Sequence, residues 1–168
     1  MIHKKMIDEL NRQIAKEMYS SNLYLAMAAY FHHINLNGFA HWMRLQAQEE
    51  MAHALKLFDH LLDRGGRPNI ESIKEPQHEW STPLDAFEAA FKHEQHITES
   101  ISLIADKALE HKDFATLALM QWFVNEQVEE EAQTSELVDR LRLANDMPGA
   151  IFILDNELKG RQPAPAAG

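Results

Sequence analysis

Four stretches of this sequence each carry a seam of residues spaced alternately three and four apart, the repeat that holds one face of a long helix against its neighbours. The first seam reads Met6, Leu10, Gln13, Glu17, Ser20, Tyr24, Met27, Phe31, and the second Phe39, Met43, Gln46, Glu50, His53, Leu57, Leu61. The third reads Leu84, Phe87, Phe91, Glu94, Thr98, Ile101, Ala105, and the fourth Met120, Phe123, Gln127, Glu130, Thr134, Leu137, Leu141. Each is apolar at its ends and polar near its middle. A carboxylate facing the core of a helical bundle is costly unless a cation compensates it. Four seams interrupted in this way call for one shared cationic partner.

Composition narrows the partner. The chain has no cysteine, so disulfides and thiolate ligands are excluded and a reducing compartment is expected. Histidine, aspartate and glutamate remain as ligands. The net charge of -10 argues against nucleic acid and adds a weak pull on cations. The opening MIHKKMIDEL lacks the apolar core of a signal peptide, and no stretch has the length of a membrane span. A soluble, cytoplasmic protein without membrane partners is expected, as one domain over residues 1–160.

Helices are predicted at roughly residues 4–33, 38–64, 83–111, 113–145 and 150–158, followed by a disordered Pro/Ala tail over 161–168. The first should end in the Asn35-Leu36-Asn37-Gly38 turn, where glycine tolerates a left-handed backbone. Thr82 with Pro83 and then Asp113 are the expected N-caps of the third and fourth helices. Pro148 and Gly149 should separate the short fifth helix from the fourth. Short first and last turns force antiparallel pairs. The connection from Gly65 to Ser81 can span about 55 Å, enough to recross a helix about 40 Å long. The expected fold is therefore all-α, a four-helix bundle with one long crossover between its second and third helices and a short fifth helix. In that topology Glu17, Glu50, His53, Glu94, Gln127 and Glu130 meet at one level.

Glu50 and His53 form an E-x-x-H pair on one helix face, a carboxylate that can bridge beside an imidazole, which suits a first-row transition metal. With Glu17 and Glu94 on other seams, two metal ions can sit between the helices and share Glu50.

The segments Gln48-Glu49-Glu50-Met51-Ala52-His53, Lys92-His93-Glu94-Gln95, Gln121-Trp122-Phe123-Val124-Asn125-Glu126-Gln127 and Glu129-Glu130-Glu131 resemble the ferroxidase helices of prokaryotic non-haem ferritins, members of the ferritin-like di-iron family. The likeness runs through all four helices and the short fifth one. It implies a di-iron centre, with one iron held by Glu17, Glu50 and His53 and the other by Glu50, Glu94 and Glu130. Gln127 would support the site from behind. A third iron site would fall on Glu49, Glu126 and Glu129, with Glu130 between the sites. Tyr24 would lie near the iron, where it either donates an electron or hydrogen-bonds a ligand; a tyrosine buried for packing, with its hydroxyl satisfied, is the other reading.

The resemblance further implies an iron-storage ferroxidase, in which Fe(II) reduces O2 or peroxide and Fe(III) is kept as a hydrated oxide mineral. The container would be a homo-oligomeric shell of twenty-four subunits, with the apolar Ile151-Phe152-Ile153-Leu154 segment packed about a four-fold axis. Di-iron oxygenases, rubrerythrins and haem-containing bacterioferritins carry a second E-x-x-H pair, where this chain has Gln127 and Glu130. A di-metal bundle enzyme of rubrerythrin or oxygenase type is the alternative. Met51 is expected to pack or face solvent and no haem is expected, although bacterioferritins use a methionine for haem. His32, His33, His41, His60, His93 and His96 show no ligand spacing and are expected mostly at surfaces or interfaces. Trp122 and Glu131 are expected to pack against neighbouring structure and to face solvent, respectively.

Overall fold

The computed structural model describes residues 2–145, 147 and 149–163. Five helices, α1 (Lys4–His33), α2 (Asn37–Asp63), α3 (Pro83–Glu110), α4 (Phe114–Asn145) and α5 (Ala150–Leu158), make an all-α fold, with no strand among the described residues. The expected break at Pro148, the residue Asp146 and the tail over 164–168 lie outside them.

Cross-bundle hydrogen bonds define the topology. Lys107 Nζ donates to Glu9 at 2.6 Å, Ser100 Oγ to Gln13 at 2.6 Å, and Tyr24 to Glu94, so α1 and α3 run antiparallel. Gln46 donates to Glu130, His60 lies 3.0 Å from Thr116 Oγ1, and Arg64 donates to Asp113 at 2.7 Å, so α2 and α4 do the same. Because α1 reverses into α2 within residues 34–36, α2 and α3 are parallel. The crossover between them lies along α1. Asn11 binds Arg67 O and Asn69 N–H at one end, and Trp80 packs edge-on against Tyr30 at the other.

Two apolar clusters fill the ends of the bundle. One gathers Phe31, Phe39, Phe87 and Leu137; the other gathers Leu10, Leu57, Ile101 and Phe123. Each such side chain contributes roughly 1.5–3 kcal/mol when fully buried. Between the clusters lies the polar belt, with Glu17, Glu50, His53, Glu94, Gln127 and Glu130 all buried.

The seams on α1, α2 and α4 are buried throughout. On α3 the buried stripe is instead Phe87, Ala90, Glu94, Ile97, Ile101, Ile104 and Ala108, while Leu84, Phe91, Thr98 and Ala105 are half-buried. Two alternations share Phe87, Glu94 and Ile101, and the one carrying Ile97 and Ile104 buries more apolar surface.

Local signals were partly redistributed. Thr82 accepts from Asp85 N–H at 3.1 Å and Asp113 from Thr116 N–H at 3.2 Å, as N-caps do. At the α1/α2 turn the left-handed residue is Asn35, with φ of 64°, rather than Gly38. Leu36 N–H bonds Phe31 O across it at 2.9 Å. Gly38 is needed for another reason: a Cβ there would fall 1.6 Å from Asp155 O.

That contact docks α5 onto the start of α2. Asp155 Oδ1 accepts from Gly38 N–H at 2.7 Å and Phe39 N–H at 3.1 Å, capping α2, which has no side-chain cap of its own at Leu36. Leu154 and Leu158 enter the core of the bundle, so Leu154 is not part of the free apolar surface. Phe152 and Ile153, 66% and 72% exposed, form it instead. The expected disordered tail also starts too early. Arg161 is half-buried and bonded to α2, because the end of α5 delivers it beside Trp42, Gln46 and Glu49.

Candidate metal centre

Three sets of ligand atoms converge in the polar belt, the atoms of each lying within 4.8 Å of one another: Glu17, Glu50 and His53; Glu50, Glu94 and Glu130; and His53, Glu126 and Glu130. Glu50 belongs to both fully buried sets, so its carboxylate lies within reach of the ligand atoms of each. His53 spans the wall between two compartments. Its Nδ1 lies 3.5 Å from Glu50 Oε2 and its Nε2 3.8 Å from Glu126 Oε2, with Trp122 and Phe123 edge-on to the ring.

Amides and a phenol orient the carboxylates. Gln13 Nε2 donates to Glu17 Oε1 at 2.7 Å, Gln46 Nε2 donates to Glu130, and Tyr24 donates to Glu94. Gln127 Nε2 donates to Glu94 Oε2 at 3.1 Å and to Thr98 Oγ1 at 3.3 Å. Glu17 Oε2 is left buried with no partner. A buried carboxylate oxygen without a partner, in one ligand set with the Glu50 carboxylate and the His53 imidazole, fits a cation.

Burial is the largest cause of every carboxyl shift here. It pushes Glu94 up to about 7, against the opposing bonds from Tyr24 and Gln127 and with help from the Glu17 charge. Burial, then the charges of Glu94 and Glu17, holds Glu50 well above the carboxylate range. Glu130 is raised likewise by burial, Glu50 and Glu94, and Glu17 is raised by burial against the attraction of His53. Tyr24 is held well above 10.0 by burial and the Glu94 charge, so it stays a donor. Cations entering this cluster must displace protons.

Comparison with known proteins decides the family. Residues 7–144 match the ferritin-like domain of the ferritin family. The chain belongs to the ferritin family. It is 43% identical over 161 residues to a bacterial non-heme ferritin of Bacteroides fragilis, covering 96% of this chain and all of the relative. The bacterial non-heme ferritin of Escherichia coli is 39% identical over 158 residues, 94% of this chain and 96% of its own. An open-pore ferritin from the hyperthermophilic archaeon Archaeoglobus fulgidus superposes with a TM-score of 0.95 at 48% identity, covering 96% of this chain and 99% of the other.

Outside His53 this ferritin chain has an open cleft of about 620 Å³, lined by Glu49, His53, Glu126, Glu129, Glu130 and Arg161 among others. The three residues expected at a third site therefore share one cleft, but among the described residues they do not converge as a set. Glu126 joins His53 and Glu130, Glu129 is exposed, and Glu49 Oε2 is bonded to Arg161 at 2.9 Å. Burial raises the Glu126 carboxyl, and the charges of Glu129 and Glu49 add to it against the attraction of His53.

Other residues depart from sequence reasoning. Gln13 and Gln46 stood on the seams without a role, although their spacing of four before Glu17 and Glu50 was a usable signal. Arg161 had none. Glu131 is half-buried and accepts from Thr98 Oγ1. His93 is half-buried at 2.7 Å from Ser20 Oγ, and burial lowers it to about 4. Met51 and Trp122, by contrast, stand as expected: Met51 is exposed, and Trp122 packs edge-on to His53 beneath Lys56.

Proposed function

We propose that this chain is the subunit of an iron-storage ferroxidase. The observation that carries the reading is the buried convergence of Glu17, Glu50, His53, Glu94 and Glu130 into two ligand sets sharing Glu50. Fe(II) is the substrate. Glu17, Glu50 and His53 hold one ion, and Glu50, Glu94 and Glu130 the other, with the amides of Gln13, Gln46 and Gln127 fixing the carboxylates. Raised carboxyls release their protons as cations enter, and the buried pair brings two one-electron donors to one oxidant. Two Fe(II) give two electrons to O2, which takes two protons and leaves as hydrogen peroxide; peroxide as oxidant takes two electrons and two protons and leaves as two waters. Tyr24, bonded to Glu94, holds that ligand in place.

The second ion has no imidazole, because the α4 positions are Gln127 and Glu130. A carboxylate-only site holds Fe(II) less firmly than one with an imidazole, so the two ions are bound unequally. The cleft beyond His53, with Glu49, Glu126 and Glu129, is the outlet toward the third site. Mineral collects in a homo-oligomeric shell of twenty-four subunits, for which the exposed Phe152 and Ile153 supply an apolar contact. No described helix is long and apolar enough to cross a membrane, in keeping with a cytoplasmic store.

Stopped-flow oxidation of Fe(II) tests the reading. Glu50→Ala and His53→Ala each abolish the fast phase while the circular dichroism of the bundle persists. Unchanged initial rates in both variants would refute the assignment.

A further inference from the structure

The end of α5 brings one cation to the cleft, and its environment is built in detail. The Arg161 guanidinium stacks over the Trp42 ring at 4.4 Å, donates through Nη1 to Trp42 O at 3.2 Å, and donates through Nη2 to Gln46 Oε1 and Glu49 Oε2, each at 2.9 Å. His41 Nε2 donates to the Arg161 carbonyl at 3.0 Å, fixing the backbone as well. A planar guanidinium can stack and bond in several directions at once; an ammonium cannot make the same set.

Two consequences follow from these bonds. An amide is directional, so with its oxygen held by Arg161, Gln46 must turn its NH2 toward Glu130 and toward Glu50 Oε1, the latter at 3.4 Å. Glu49 is also matched by a charge from its own chain, and among the described residues it is absent from the converging sets that take up Glu126 and Glu130.

We propose that Arg161 is a latch on the outlet of the iron site. Its guanidinium occupies Glu49 in place of a metal ion, and so sets how readily a divalent cation is accepted in the cleft by Glu49, Glu126 and Glu129. Its bond to Gln46 couples that occupancy to Glu130 of the inner site. The latch rests on the iron-site reading above and adds a control to it. A cation arriving at Glu49 competes with Arg161; once Arg161 leaves, Gln46 is free to turn and Glu130 loses a fixed donor. Filling the outlet and loosening the inner site therefore favour each other, as linkage requires. Arg161 is a positioning residue, since it reaches the inner site only through Gln46.

The test is calorimetric titration of Zn(II), a redox-inert probe, into assembled, iron-free protein. Arg161→Gln tightens the third Zn(II) per subunit by about tenfold, the scale of a lost charge-assisted bond to one ligand. Arg161→Lys, which keeps the charge but not the fork, falls between the two. In a Glu49→Gln background, Arg161→Gln leaves the third Zn(II) affinity unchanged. An unchanged third affinity in Arg161→Gln, or a gain that persists without Glu49, overturns the latch. Absence of any third Zn(II) in both the parent and Arg161→Gln, with the first two bound, removes the outlet site and the latch with it. Failure to bind even the first two would refute the inner-site reading itself.

Discussion

Glu94→Gln separates what the buried cluster costs the fold from what it gives to iron. Glu94 is buried, with its carboxyl raised from 4.5 to about 7 chiefly by loss of solvent. Because the folded value lies above the unfolded one, the contribution of Glu94 to stability is complete below about pH 4.5 and is lost as pH rises through about 7. The shift of 4.5 to about 7, at about 1.4 kcal/mol per unit, makes that loss about 3 kcal/mol. A glutamine can accept from Gln127 and donate to the Tyr24 oxygen, so the neutral replacement keeps two bonds. Guanidinium unfolding of iron-free protein at pH 5 and pH 8 reads the difference between parent and variant at fixed concentration, so that assembly contributes alike to both. The variant gains about 2 to 3 kcal/mol on the parent between those values, most of the full shift, and added Zn(II) stabilises the parent more than the variant. An equal difference at both pH values would refute the argument that an ionised, uncompensated Glu94 burdens the fold.

Gly38→Ala forces the Asp155 backbone away, because the new Cβ would lie 1.6 Å from Asp155 O. Loss of the two Asp155 caps costs about 2 kcal/mol or more, and hydrogen exchange of α5 amides rises sharply; parental protection would contradict the docking. Zn(II) fills the Glu17, Glu50 and His53 set before the Glu50, Glu94 and Glu130 set, because only the first has an imidazole. Equal anomalous signal from both positions at half loading would count against that order. Phe152→Ser with Ile153→Ser leaves α1 to α4 folded but reduces shell formation, since both side chains are exposed on the subunit; light scattering of full-sized particles would remove this role for α5.

The seams made the polar belt legible because burial of a carboxylate is expensive enough to leave a pattern in the sequence. Glu17, Glu50, Glu94 and Glu130 stand at positions that periodicity alone assigns to a core, on three helices correctly and on α3 through a residue common to two alternations. Choosing between those alternations needed the apolar weight of Ile97 and Ile104 against Thr98 and Ala105. Asn35 rather than Gly38 took the left-handed turn because Gly38 was reserved for a contact with Asp155, more than a hundred residues on, which no local rule reports. Asp155 and Arg161 escaped for the same reason. Their partners are at the start and middle of α2, and nothing in a Pro/Ala-flanked segment marks a single arginine as part of a site.

Storage is distinguished from turnover by the amount of iron retained. Aerobic addition of Fe(II) in large excess, followed by separation of the particle by size and an iron-to-protein assay, measures it directly. An iron-storage ferroxidase gives a large particle carrying many irons per subunit, with loading slowed in Glu50→Ala. Retention of only about two irons per subunit, the capacity of the two buried ligand sets that share Glu50, would contradict storage and mark a di-metal enzyme instead.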